Sequence, residues 1–323
     1  MGLLAGWPYY SDITVGNGSV DYQTKITVYY GSGTNGLGVV YCNSLCQADF
    51  DDLRFTKADG ETLMPYWIES YVASTSAVVW VKHTETSPTV ARMYYGKADA
   101  TAVSNGANTF IQFEDLEWGS DGDPLTNDGG SVDWTALLGT PDIDTAQKYG
   151  GTRSGRLYSG GSGLEEQASF PQSAGATYAI MFRHRRTTTS LEWIVHGNGT
   201  KAITFGITVA EAIFYYDTDY RYPGYNAAVD TWELFEFTDI NFTAGTYDIW
   251  LNGVKIKDAA VMQTRATESN VVLLVNNATT AGEVWYDDII IRKWAATEPT
   301  FTFGSQQVAF TPFRNVYPLI LAH

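Results

Sequence analysis

Residues 49–69 read Asp49-Phe50-Asp51-Asp52-Leu53-Arg54-Phe55-Thr56-Lys57-Ala58-Asp59-Gly60-Glu61-Thr62-Leu63-Met64-Pro65-Tyr66-Trp67-Ile68-Glu69. Apolar and polar side chains alternate on both sides of Asp59-Gly60. A period of two sets one face of each strand for burial, and glycine reaches the positive φ of a tight turn, so the stretch predicts a β-hairpin. The same pattern recurs outward, with strands expected over Tyr22–Tyr30, Val39–Tyr41, Leu53–Lys57, Met64–Ser70, Ala77–Lys82 and Ala91–Tyr95. Further along, strands are expected over Tyr178–Arg185 and Thr231–Phe237, with a hairpin over Thr246–Ile256 turning at Asn252-Gly253. No apolar stripe of period 3.6 is sustained anywhere. The reading is an all-β chain of antiparallel sandwiches.

Length and composition agree. The chain has 323 residues, 31 glycines, 14% aromatic and 17% charged residues, which suits two domains of short strands joined by tight turns. A small β-sandwich is expected over 1–97, a linker rich in Ala, Ser, Asn and Gly over 98–108, and a larger sandwich over 109–296. A tail over 297–323 carries Phe301, Phe303, Phe310, Phe313, Tyr317, Leu319, Ile320 and Leu321 among three prolines. Such an apolar tail must be buried, and it is expected to dock on a neighbouring subunit, giving a homo-oligomer or larger assembly.

The net charge is −16. A nucleic-acid surface needs clustered Lys and Arg, so that class is excluded. The one basic knot, Arg183-His184-Arg185-Arg186, is expected at an exposed strand end. No run of 18 apolar residues is present, so no membrane-spanning helix is expected. The first residues lack a basic segment followed by a long apolar one, so no signal peptide is read there.

The first hundred residues resemble a surface module of bacteria, archaea and viruses known only as a domain of unknown function. The resemblance rests on Trp7-Pro8-Tyr9, on Asp49, Phe50, Asp52, Arg54 and Phe55, and on Tyr66-Trp67-Ile68-Glu69. Val79-Trp80-Val81 and Tyr94-Tyr95-Gly96 complete it. It implies surface display or attachment, without catalysis. The second domain resembles a laminin-G or concanavalin-A-like jelly roll through its opening Phe113-Glu114-Asp115, Gly155-Arg156-Leu157, Tyr247-Asp248-Ile249-Trp250-Leu251-Asn252-Gly253 and closing Tyr286-Asp287-Asp288-Ile289.

Jelly rolls of this kind hold structural calcium with hard oxygen ligands, which implies Glu114, Asp115, Asp287 and Asp288 as metal ligands. The alternative is that the inward Asp caps a loop or pairs with Arg156. For ligand binding the candidates are Tyr215, Tyr216, Asp217, Asp219, Tyr220, Tyr222, Tyr225 and Asn226. Flat rings beside Asp and Asn suit sugars, but equally a protein interface or tyrosines that cover a sheet. Glycoside hydrolysis needs two facing carboxylates. Neither Glu114-Asp115-Leu116-Glu117 nor Glu233-Leu234-Phe235-Glu236 has the spacing, and no Gly-x-Ser-x-Gly elbow occurs, so no enzyme is expected. Cys42 and Cys46 are either a local disulfide or two reduced thiols. Asn17, Asn198, Asn241 and Asn277 begin glycosylation sequons.

Taken together, the sequence predicts a non-enzymatic structural or attachment protein of an extracellular, cell or virion surface. Its jelly roll contacts glycans or neighbouring subunits. Two other readings stand beside it, a secreted carbohydrate-binding module and a polysaccharide hydrolase without a recognisable motif.

Overall fold

In the strand Tyr9–Gly16, Ile13 and Val15 are buried while Thr14 between them is exposed. Elsewhere too, strands send alternate residues into a core. The computed structural model describes residues 2–84, 89–127, 133–159, 164–169, 178–187, 192–197, 201–264, 271–276 and 282–309. The regular secondary structure of the described residues is almost all strand, and the chain forms two units. The first comprises Met1–Val20, Thr24–Ser104 and the segment from Pro299; the second comprises Asp21–Gln23 and Asn105–Glu298.

The first unit pairs a five-stranded with a four-stranded sheet. The larger runs Thr300–Val308, Tyr9–Gly16, Thr89–Tyr95, Arg54–Thr56, Leu63–Met64; the smaller runs Val39–Tyr41, Tyr22–Tyr29, Ser76–His83, Tyr66–Val72. One core of Ile13, Val15, Ile26, Val28, Phe55, Val79, Val81, Met93, Tyr95, Phe301 and Phe303 lies between them. Two details depart from expectation. Val39–Tyr41 runs parallel to Tyr22–Tyr29. The strand expected over Met64–Ser70 is split at Pro65, which has no N–H to donate, and the chain changes sheet there.

The expected hairpin forms, with Phe55 opposite Met64 and Thr56 opposite Leu63. Its loop is longer than a two-residue turn and is closed by Lys57 N–H donating to Thr62 O at 2.9 Å. Asp59 Oδ1 accepts from the N–H groups of Glu61 and Thr62. Gly60 has φ +82°, and a Cβ there would lie 2.2 Å from Gly2 O.

The signature residues of this unit wire its loops together. Asp52 is fully buried, and its carboxylate accepts from the N–H groups of Gln47 and Gly96. Trp7 Nε1 donates to Asp52 O at 2.7 Å. Arg54 donates to Leu53 O, Asp51 O and Thr101 O and lies 5.1 Å from the Trp7 ring centre, with Lys97 Nζ 4.7 Å from the same ring. Trp80 Nε1 donates to Glu69 across the other sheet at 2.8 Å.

Of the two readings of Cys42 and Cys46, the structure has the reduced thiols, not the disulfide. They are free, buried thiols in the core, where they pack as small apolar side chains, and burial pushes the Cys42 thiol well above the usual range. The segment Thr300–Val308, expected to begin a docking tail, pairs with Tyr9–Gly16 of its own chain, and Phe301 and Phe303 enter that core. The remainder of the expected tail, 310–323, lies outside the described residues.

The second unit has a seven-stranded and an eight-stranded antiparallel sheet. In the seven-stranded sheet the order is Asp133–Leu138, Leu164–Ser169, Val271–Asn276, Glu192–Gly197, Lys201–Ile207, Ile213–Tyr216, Tyr220–Arg221. In the other it is Asp142–Asp144, Ser154–Ser159, Gly282–Lys293, Tyr178–Arg186, Glu233–Asn241, Thr246–Leu251, Val254–Val261, with Gln112–Glu114 also paired to Gly282–Lys293. Phe182, Phe205, Phe235, Phe237, Tyr247, Ile249, Tyr286 and Ile291 share one core. The basic knot is not an exposed strand end. His184 and Arg186 are fully buried, and Arg186 donates to the carbonyls of Thr187 and Thr208, which offsets the cost of taking a guanidinium out of water. No helix among the described residues is long and apolar enough to cross a membrane.

Two outcomes test this account. Gly60→Val places a β-branched side chain at positive φ against a backbone carbonyl and is expected to destabilise the first unit by about 2 kcal/mol. An unchanged urea midpoint would remove the turn geometry from the argument. Asp52→Ala strands two amide donors and is expected to cost about 2 kcal/mol; a wild-type midpoint would mean the carboxylate is not what ties those segments.

Candidate functional site

On the eight-stranded sheet of the second unit, Phe235, Phe237, Tyr247 and Ile249 point into the core. Alternation therefore turns Glu236, Thr238, Asp248 and Trp250 to the opposite face. The register sets Glu236 opposite Trp250, Thr238 opposite Asp248, and Trp250 opposite Lys255. With Arg292, Trp294, Ala295, Ala296 and Glu298 these residues line a groove of about 430 Å³.

The groove is held by its own polar contacts. Trp250 Nε1 donates to Thr238 Oγ1 at 2.8 Å, which fixes the plane of the indole. Lys255 Nζ donates to Asp248 Oδ2 at 2.6 Å and to Asp258 Oδ1 at 2.9 Å, and it sits 5.1 Å from the Trp250 ring centre. These two carboxylates hold Lys255 above the usual lysine range. Arg292 is buried, with Nη1 2.9 Å from Glu298 Oε1 and Nη2 3.9 Å from Glu236 Oε1. The arrangement offers two indoles beside a row of fixed donors and acceptors. Asp248, Trp250 and Lys255 lie in the expected Thr246–Ile256 hairpin, and the missed signal was a tryptophan between two core positions, on the face the core does not use.

The tyrosine-rich segment is an edge hairpin of the seven-stranded sheet. Tyr215 pairs with Arg221 and Tyr216 with Tyr220. Asp217 accepts from Thr218 N–H, from Asp219 N–H and from Arg221 Nε, and these contacts hold its carboxyl low, at about 2. Asp217 thus closes the turn. Asp219 accepts from Tyr220 N–H within it. Tyr220, Tyr222, Tyr225 and Asn226 are exposed, whereas Tyr215 packs on the core. Tyr220 and Tyr222 stand edge-on to Phe214, which is fully buried, with ring centres 5.1 and 6.3 Å away. These two tyrosines cover a phenylalanine on the outside of the sheet, so the expected ligand residues divide into a turn, a cover and a small exposed rim.

Three of the four expected metal ligands, Glu114, Asp115 and Asp287, accept from backbone N–H groups. Glu114 and Ile289 are paired across strands as expected, but Gly282–Lys293 is an interior strand of its sheet, not an edge. Glu114 Oε1 accepts from Leu116 N–H and Trp118 Nε1, and Asp115 Oδ1 from Glu117 N–H. Asp287 Oδ2 accepts from the N–H groups of Tyr149 and Gly150, and its Oδ1 from that of Asp288. Asp288 is buried with φ +46°. Arg156 instead forms a two-point pair with Asp142. Among the described residues no group of three or more His, Cys, Asp or Glu is placed to hold an ion, and Glu114, Asp115 and Asp287 cap loops. Of the sequon asparagines, Asn17 and Asn241 are exposed, Asn241 accepting from Ala244 N–H; Asn198 and Asn277 lie outside the described residues.

A family model described as a domain of unknown function (DUF2341) matches residues 49–135. No curated protein matches the chain. Among solved structures the chain is similar to a sialidase, at 6% identity and TM-score 0.43 over 66% of this chain and 21% of that one. It is similar to an endo-β-1,4-glucuronan lyase of the fungus Trichoderma reesei, at 10% identity and TM-score 0.41 over 58% of this chain and 96% of that one. A carbohydrate esterase of the Shiga toxin-encoding bacteriophage phi24B gives 14% identity and TM-score 0.43 over 58% and 99%. The chain thus spans about a fifth of the sialidase. The expectation that the protein is not an enzyme is corrected here: all three of these neighbours are enzymes, and the missing sequence motifs do not exclude catalysis.

Desolvation pushes Asp287 up to about 7, against the opposing pull of its three backbone donors. A folded-state value above the unfolded one means the native state binds the proton more tightly. Stability from this group is full below about pH 4 and is lost as pH rises toward 7. Asp287→Asn is expected to flatten the melting temperature across that window, and an unaltered slope would show that other groups set it.

Proposed function

We propose that the second unit is a saccharide-binding sandwich whose ligand lies in the groove around Trp250. The observation that carries this reading is the indole, fixed by Thr238 and flanked by Lys255, Asp248, Glu236 and Arg292 on one face. An aromatic plane receives the C–H face of a sugar ring, and charged groups at its margin bond the hydroxyls. As a whole the chain is read as a surface attachment protein, displayed on a cell or virion and engaging glycans.

Bond cleavage in the same groove is the second reading, favoured by one feature. Glu236 and Asp248 stand diagonally on adjacent strands, where Cα atoms lie about 7–8 Å apart. Both carboxylates are thereby presented on one face, as cleavage between two carboxylates requires. Asp248 is already tied to Lys255, which favours binding over cleavage.

Calorimetric titration against neutral and uronate-containing oligosaccharides tests the first reading. Trp250→Ala is expected to weaken binding by about tenfold or more, the loss of a stacking platform being worth about 1–2 kcal/mol. Undiminished binding in the variant would move the site elsewhere. New reducing ends or unsaturated products that vanish in Glu236→Gln would establish cleavage.

A further inference from the structure

We propose that the first unit carries a saccharide site of its own, selective for neutral sugars and independent of the groove in the second unit. Gly33, Thr34, Asn35, Asn43, Ser305 and Gln306 line an open groove of about 580 Å³. Every one is uncharged, in a chain of net charge −16. Hydroxyls, amides and a glycine backbone make up the whole lining.

The groove is built rather than incidental. The strand Thr300–Val308 bulges where it passes Asp12: Ser11 faces Gln306 but Ile13 faces Phe303. The extra residue falls at Gly304-Ser305, and bulges of this kind re-aim side chains beside functional surfaces. Asn35 clamps the bulge, donating through Nδ2 to Gly304 O at 2.7 Å while its Oδ1 accepts from Tyr41 N–H at 2.8 Å. The 33–38 loop is pinned by Gly38 N–H donating to Phe301 O and Phe303 N–H donating to Gly36 O. Tyr41 stacks on Tyr29 with ring centres 4.8 Å apart. A Cβ at Gly33 would come 2.4 Å from the Tyr41 ring, so the loop lies flat on it.

The chemistry of the lining names the ligand class. Asn43 Nδ2 donates to Gln306 Oε1 at 2.8 Å. That contact leaves one amide acceptor, Asn43 Oδ1, beside one amide donor, Gln306 Nε2. Exchanging O and N in both amides leaves the same complement of one donor and one acceptor. Two neighbouring hydroxyls of a pyranose each donate and accept, so a vicinal diol satisfies the pair in either sense. A carboxylate or sulfate would only accept, leaving the amide oxygen opposed. With no cation in the lining to compensate, an acidic sugar is disfavoured.

The test is calorimetric titration of the full chain with cellohexaose, maltohexaose and mannohexaose, and with oligogalacturonate as the acidic counterpart. At least one neutral hexaose is expected to bind, with oligogalacturonate failing to compete. Gln306→Ala is expected to weaken binding about tenfold at unchanged melting temperature, and Asn43→Ala to weaken it similarly with a lower melting temperature, because alanine is strained at the φ of +53° that Asn43 adopts. Gln306→Glu keeps the shape and removes the donor, and it should lose binding too; it decides the matter if an alanine variant unfolds. In Trp250→Ala, where the groove of the second unit is disabled, neutral-sugar binding should persist and should be the part lost on further substitution at Gln306 or Asn43, which separates the two sites. The proposal is overturned if Trp250→Ala binds no neutral hexaose, if the binding that remains in Trp250→Ala survives the substitutions at Gln306 and Asn43, or if oligogalacturonate displaces the neutral sugar from that variant.

Discussion

Phe205 and Phe235 meet across the two sheets of the larger unit with ring centres 5.0 Å apart, and Phe182 and Phe237 close around them. This inter-sheet core fixes which residues of each strand face inward. A strand allows only two choices, so the core also decides what lies outside. Trp250, Glu236 and Asp248 are presented together because their neighbours Ile249, Phe235, Phe237 and Tyr247 are buried. A slip of one residue in the register of Glu233–Asn241 would place Phe235 and Phe237 in water and dismantle the groove in the same step.

The fold was legible in the sequence where alternation and turn chemistry agreed. The hairpins at Asp59-Gly60 and Asn252-Gly253, and the strands around them, follow from period two and from glycine at positive φ. The groove was not legible, because it depends on strands distant in sequence being neighbours: Arg292 lies beside Glu236 only through the intervening strand Tyr178–Arg186. The tyrosine cluster misled for a related reason. Its composition suited a ligand, but two of the rings are turned onto Phe214, which sequence does not place beneath them. The paired acids near Glu114 and Asp287 were similarly expected to need a cation, when backbone N–H groups already meet them.

The signature of the first unit has a structural explanation. Asp52, Arg54 and Trp7 bridge segments far apart in sequence, and Glu69 and Trp80 together hold the distant Lys25. Burial raises the Asp52 carboxyl, while two backbone donors and the nearby Arg54 work to keep it charged. A residue pattern of this kind records how loops are tied, and it leaves the groove residues Asn35, Asn43 and Gln306 outside the motif.

The pairing of Thr300–Val308 with Tyr9–Gly16 bears on how the molecule is made. A ribosome releases Tyr9–Gly16 early, yet its partner on one side follows only after the whole second unit has been synthesised. Through that interval the nascent first unit carries an unpaired strand edge, with its core lacking Phe301 and Phe303. Open edges recruit other strands, and non-local closure is slow. Completion of the smaller unit is therefore timed by the passage of the larger one, and a stalled or shortened chain would expose an adhesive edge.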